Sequence, residues 1–153
     1  MSFTIATESP LSNDVRALVQ ALNAFTYDLT PAEYRHHMTV EQMAQPDTTV
    51  FVARDKAGAA IGMGALRRHV DGIGEVKRMF VKSEARGLGV GAAILGHIEA
   101  LAREQGLIRL VLETGSNFHA AKRIYERGGM TPSAPVLDYP PSEWTAFYAK
   151  ALV

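Results

Sequence analysis

The 153-residue chain has no cysteine. That excludes disulfides, thiolate metal sites and a cysteine nucleophile, and it fits the reducing cytoplasm in which the protein is expected to reside. Net charge is also absent. Sixteen basic residues balance sixteen acidic ones, so no global field draws the chain to nucleic acid or an anionic membrane. No apolar run approaches the ~20 residues of a membrane-spanning helix, and residues 1–7 lack the basic and apolar regions of a secretory leader. Repeats, linkers and low-complexity tracts are missing too, so one soluble domain is expected over residues 1–153, with neither nucleic acid nor membrane as partner. The five histidines (His36, His37, His69, His97 and His119) show no ligand spacing with carboxylates, and no metal site is expected.

What the chain does have is glycine concentrated where a strand runs into a helix. Arg86-Gly87-Leu88-Gly89-Val90-Gly91-Ala92 follows a strand-like segment, Glu75 to Val81, and precedes an amphipathic helical pattern, Ala92 to Gln105. Glycine permits close backbone approach and positive φ, and the first amides of a helix have no internal partner. With the positive end of the helix dipole, such a stretch suits a phosphate group.

The rest of the chain falls into order around it. Phe3 to Ala6 reads as a strand, and Ser12 as the cap of a helix with Val15, Leu18, Val19 and Leu22 on one face. Thr30-Pro31-Ala32-Glu33 carries capping-box spacing and predicts a second helix through Tyr34 to Met38, with a further short turn over Thr39 to Ala44. Thr48 to Arg54, Ala59 to His69 and Glu75 to Val81 form an antiparallel meander punctuated by Asp55–Gly58 and Val70–Gly74. Leu107 to Glu113 is a continuous apolar strand of the kind buried on both faces. Asn117 opens a helix closed by Gly128-Gly129; a proline-rich loop follows over Pro132 to Ser142, then a last strand over Trp144 to Leu152. The expected architecture is α/β: a mixed, mostly antiparallel central sheet of six to seven strands with about four helices. The unit from Glu75 to Glu113 should cross over right-handed and place two strands in parallel.

Three phosphate-binding patterns compete for residues 86–93. A P-loop needs Lys-Ser or Lys-Thr after its last glycine, where this chain has Ala92-Ala93. A dinucleotide fingerprint can be fitted through Gly87, Gly89 and Ala92, but the polar spacer Lys82, Ser83, Glu84 and Arg86 separates strand from glycine where that fold turns at once. The third pattern fits. Arg86-Gly87-Leu88-Gly89-Val90-Gly91 resembles the acyl-CoA pyrophosphate loop of the GNAT superfamily of N-acetyltransferases, (Arg/Gln)-x-x-Gly-x-(Gly/Ala). The resemblance runs on through Glu75–Val81, Leu110–Gly115, the Asn-x-x-Ala…Tyr-x-x-x-Gly helix of Asn117 to Gly129, and the Tyr139-Pro140-Pro141-Ser142 loop of small stand-alone bacterial members. Gly128-Gly129-Met130 departs from the family's usual Gly-Phe but leaves Tyr125 in register. A local excess of charge agrees: six basic side chains between residues 67 and 86 (Arg67, Arg68, Lys77, Arg78, Lys82, Arg86) face three acidic ones, suiting a phosphate cluster. Solvated strand edges carry lysine as well.

The resemblance implies acetyl-CoA as cosubstrate, held by the backbone of Met79, Phe80 and Val81, by the loop Arg86, Gly87, Leu88, Gly89, Val90, Gly91 and Ala92, and by Asn117, which alternatively caps its helix. It implies Tyr125 as general acid toward the leaving thiolate, against a reading as core with a wet hydroxyl. Glu75 stands where some members place a general base; a salt bridge to Arg67, Arg68 or Lys77 is the other reading. Glu113 and His119 are weaker alternatives. The acceptor, a small-molecule amine, is expected between the early helices and the late loop, near Tyr27, Asp28, Glu33, Tyr34, Asp138, Tyr139 and Trp144, where aromatics beside carboxylates suit a cation. Those residues equally suit loop anchors or a homodimer contact. Acetylation of a protein lysine or N-terminus, and a non-catalytic acyl-CoA sensor, stay open as alternatives.

Overall fold

The computed structural model describes residues 2–35 and 37–153, with Tyr34 by its backbone alone; His36 and the Tyr34 side chain therefore lie outside the described residues. Seven strands form one sheet in the order β1-β2-β3-β4-β5-β7-β6. They are β1 (Phe3–Thr7), β2 (Thr48–Asp55), β3 (Ala60–Arg68), β4 (Ile73–Val81), β5 (Arg109–Gly115), β6 (Thr131–Pro132) and β7 (Thr145–Ala151). Every pairing is antiparallel except that of β4 with β5. The connection between those two runs through helix α3 (Val90–Glu104), as a parallel pair requires.

Helix α1 (Asn13–Leu29) forms as its pattern predicts. Ser12 Oγ accepts the Val15 N–H at 3.3 Å, and Val15, Leu18, Val19 and Leu22 are buried. They pack on Val50, Val52, Met63 and Ala65 of β2 and β3. The opposite face carries α3 and α4 (His119–Arg127): Ile94, Leu95, Ile98 and Ala102 join Phe51, Leu66, Leu110, Leu112, Tyr125 and Tyr148 in the larger core. Burying Ile94, Leu95 and Ile98 contributes roughly 1.5–3 kcal/mol each. β5 is sealed on both faces, with Leu110 and Leu112 against that core and Val111 against Val136 and Phe147.

Two local expectations are corrected. Among the described residues from Tyr34 to Met38 there is no second helix. Thr30 is the C-cap of α1, its N–H bonded to Thr26 O, and only a single 3-10 turn follows at Ala32–Tyr34. Arg35 ends that turn in extended conformation; its guanidinium donates to Thr30 O at 2.7 Å and Tyr27 O at 3.0 Å and lies 4.4 Å from the Tyr27 ring centre. The capping box belongs instead to Thr39 and Gln42, at the start of the four-residue α2 (Val40–Met43). Asn117 does not cap α4. Phe118 holds that position, and no side chain caps it.

The feature that shapes the site is in β4. Lys77 pairs with Ala65 and Phe80 with Met63, so Arg78 and Met79 together oppose Gly64. This is a β-bulge, and Arg78 takes φ +55° to make it. A Cβ on Gly64 would meet Ile94 Cγ2 at 2.7 Å, so the bulge sits on a floor that only glycine provides. Pairing of β4 with β5 runs from Ile73↔Arg109 to Glu75↔Val111 and goes no further, so the strands part ahead of the bulge.

Candidate active site

Two cavities meet where β4 leaves β5. The first, about 1040 Å³ with its open mouth, lies between the β4 segment Met79, Phe80, Val81 and the stretch from Asn117 into α4 as far as Tyr125, with Arg86 and Gly91 at its end. Beyond Glu75 the paired neighbour of β4 is β3, which leaves the β5-side edge as a backbone ladder without a partner strand. An extended amide-bearing chain can pair there as a strand would.

The glycines beside it do two different jobs. Gly87 and Gly89 take φ +83° and +84°, and a Cβ on either would touch nothing within 4 Å; they set the backbone path of an open loop. Gly91 is a packing glycine, since its Cβ would meet Ile124 Cδ1 at 2.7 Å. Gly89 caps α3, and the first internal bond of the helix is Ala93 N–H to Gly89 O at 3.0 Å. The amides of Val90, Gly91 and Ala92 therefore have no acceptor within the helix, as anion sites at helix starts require. Arg86 Nε donates to Val81 O at 3.1 Å, and its guanidinium lies 5.8 Å from the Phe25 ring centre. The local charge excess does not gather here. Arg67 is bonded to Asp47, Arg68 to Thr49, Gln105 and Pro46 O, Lys77 to Tyr139 and Arg78 to Asn23 and His37; Lys82 and Arg86 alone flank the loop.

The second cavity, about 720 Å³ and also open, is lined by Thr26, Thr30 and His37 from the α1 side, Lys77 and Arg78 from β4, Glu113 and Thr114 from β5, and Phe118 and Trp144. Leu22, Met79, Phe118, Ala121 and Tyr125 line both cavities. Tyr125 thus stands at their junction, 6% exposed, and burial pushes its phenol well above the usual range. Its hydroxyl makes no hydrogen bond among the described residues. A phenol so placed stays protonated through neutral pH and can donate.

Glu75 lies outside both cavities. Its carboxylate is 1% exposed and fully engaged: His69 Nε2 is 2.8 Å from one oxygen, while Tyr139 donates its hydroxyl at 2.5 Å to the other, with Lys77 Nζ 3.4 Å away. Lys77 also donates to the Tyr139 hydroxyl at 2.8 Å. Burial first, and then the bond to Glu75, pushes the Tyr139 phenol up. Of the expected acceptor residues, Trp144 lines the second cavity and Tyr139 joins this network behind it. Tyr27, half exposed with the Arg35 guanidinium over its ring, lines neither cavity, and nor do Asp28, Glu33 and Asp138. Asn117 and His119 line the first cavity. Sequence reasoning missed that Arg78, His37, Thr26 and Thr30 line this second cavity. For Arg78 a signal existed, a second consecutive charge (Lys77-Arg78) inside a strand whose other residues are mostly apolar.

With this geometry in view, comparison with known proteins is specific. The model of the acetyltransferase (GNAT) family matches residues 15–130. An IAA acetyltransferase of Azospirillum brasilense is 39% identical over 150 residues, 97% of each chain. A crystal structure from Klebsiella pneumoniae subsp. pneumoniae, described as an acyl-CoA N-acyltransferase, superposes with TM-score 0.84 at 29% identity, covering 99% of this chain and 98% of that one. A Bacillus anthracis structure, described as a streptothricin acetyltransferase in complex with acetyl coenzyme A, shares the fold at TM-score 0.64 and 22% identity, over 77% of this chain and 70% of its own.

Proposed function

The chain belongs to the GNAT acetyltransferase family, and from that premise we propose that it transfers an acetyl group from acetyl-CoA to the primary amine of a small molecule, by direct attack in a ternary complex. The observation that carries this reading is the meeting of two cavities at Tyr125, one edged by open backbone and glycine loop, the other by polar side chains. The free β4 edge at Met79–Val81 pairs with the pantetheine arm, and an N–H of that edge polarises the acetyl carbonyl. The amides of Val90 to Ala92 and the loop from Arg86 receive the pyrophosphate; Asn117 contributes from the far wall.

The neutral amine enters through the second cavity and attacks the thioester carbon. The C–N bond forms and the C–S bond breaks. The proton shed by the amine passes to Glu113, which lines that cavity, and the thiolate takes the Tyr125 phenolic proton. Glu75 enters as the buried anion that fixes Lys77 and Tyr139 behind the acceptor, because its own oxygens are engaged away from both cavities. The name of the Azospirillum relative supports a small acceptor over a protein side chain. A screen of primary amines for free thiol release tests the reading. Acceptor-dependent thiol release is expected. Acetyl-CoA binding without release across the panel would overturn it in favour of a sensor.

A further inference from the structure

Arg78 bears two costs at once. Its backbone is held at φ +55°, a region side-chain-bearing residues rarely occupy. Its guanidinium is buried enough that burial lowers its pKa to about 10, so it is charged at neutral pH. Its hydrogen-bond partners are neutral or weakly basic: the Asn23 Oδ1 carbonyl and His37 Nδ1, the latter 3.1 Å away. No carboxylate pairs with it among the described residues. Arginine has five N–H donors. Two are used here, and Nε is buried without a partner. The neighbouring cation is treated otherwise, since Lys77 is neutralised by Glu75. A partly buried cation held in strained backbone at a cavity wall, without a counter-charge among the described residues, marks a place where the charge is supplied from outside.

We propose that the acceptor amine also carries a carboxylate, which pairs with the Arg78 guanidinium at the wall of the second cavity. This rests on the transferase reading and names the acceptor class, an amino acid type of amine. Arg78 and Tyr125 line the same cavity, so an acceptor anchored by its acid at Arg78 has its amino group kept within that chamber. Phe118, Met79 and Trp144 give the body of the molecule an apolar, aromatic surround. An oppositely charged, desolvated partner is what a planar guanidinium recognises in two-point fashion, and an acceptor without it leaves the arginine as it stands, paired with neutral groups.

The test compares matched series: L-amino acids, their amides, and the corresponding decarboxylated amines, each assayed for thiol release. The wild type is expected to favour the free acids by at least tenfold in kcat/KM. Arg78→Gln should erase that preference through the acceptor KM while leaving acetyl-CoA affinity unchanged, and Arg78→Lys should restore part of it. Should the glutamine variant fail to fold, the wild type still decides. Phenylpropionate, an acid without the amine, is expected to compete with the acceptor, and phenylpropionamide is not. Release with all three series at similar kcat/KM, or equal inhibition by acid and amide, overturns the Arg78 assignment and leaves the transferase reading standing. Acetyl-CoA binding without thiol release from any series overturns both.

Discussion

The two cavities are made of different material. The donor cleft is built from backbone: an unpaired strand edge, the amides that open α3, and glycines at φ +83° and +84°. The second cavity is built from side chains brought together from distant parts of the sequence, such as Arg78, bonded to Asn23 and His37, and Lys77, bonded to Tyr139 behind the wall. Backbone recognition suits a ligand that never changes. Side-chain recognition can be rewritten residue by residue, which is where relatives with one donor and different acceptors must differ. Of the five residues that line both cavities, Tyr125 is the one with a proton to give.

Breaking one half should spare the other. The largest effect is expected from Gly89→Val, which forces a β-branched residue into φ +84° at the start of α3 and displaces the amides behind it. Acetyl-CoA affinity measured by calorimetry should fall more than about 100-fold; unchanged affinity would remove the loop from the donor site. Next comes Tyr125→Phe. Loss of the donor at the junction should lower kcat by roughly 10²-fold or more while leaving both KM values within a few-fold, and a change confined to either KM would place Tyr125 in one half only. Glu75→Gln should act on the acceptor half and on stability. It leaves Lys77 and His69 without their buried anion, costing about 3 kcal/mol or more in chemical unfolding, with the amine KM raised and acetyl-CoA affinity held. Equal losses on both substrates would dissolve the division.

The smallest effect sets the baseline. Glu99 clamps α3 to β7 through Lys150 at 2.7 Å and pairs with Arg103 one turn along its own helix at 3.1 Å, away from both cavities. Burial works to raise its carboxyl, but the bonds from Lys150 and Arg103 outweigh it and hold the pKa below the usual value. A depressed carboxylate contributes stability that is present above the ordinary carboxylate range and lost as pH falls through the folded-state value. Glu99→Gln should therefore cost less than about 1 kcal/mol at pH 7, and the difference from wild type should vanish in acid. Activity toward both substrates should be unmoved.

The same division governed how far the sequence could be read. The donor half was legible because its determinants are contiguous: Glu75 to Ala92 spells strand, loop and helix start in one run. Even there the three glycines look alike on paper, and only the fold separates the open turn of Gly87 and Gly89 from the packing contact of Gly91 with Ile124. The acceptor half was not legible, because its groups meet only after folding. Aromatic and acidic residues near residues 27–34 looked like a cation site, yet Tyr27, Asp28 and Glu33 line neither cavity, and the charged side chains at the wall of the second are Lys77, Arg78 and Glu113. The missing second helix failed for a related reason. Thr30-Pro31-Ala32-Glu33 has correct cap spacing, but Thr30 was already committed to closing α1. Glu75 was found as a residue, while its place behind the cavity depends on Tyr139, 64 positions away.

The bulge at Arg78 has one more consequence, which concerns parity. A regular strand alternates faces, so Glu75, Lys77, Met79 and Val81 should share a side. One extra residue breaks the count: Val76, Met79 and Val81 join the core beneath α3, and Phe80 turns to the core beneath α1. β4 thus holds two frames in a single strand, one ahead of residue 78 and one behind it. Deleting Arg78 would do more than remove a charge. Val76, Lys77, Met79, Phe80 and Val81 would then alternate in one regular frame, each on the face it now occupies, and the ladder to β3 would close flat across Gly64. The extra residue leaves the packing faces as a regular strand would have them and changes only the path of the backbone between Lys77 and Phe80.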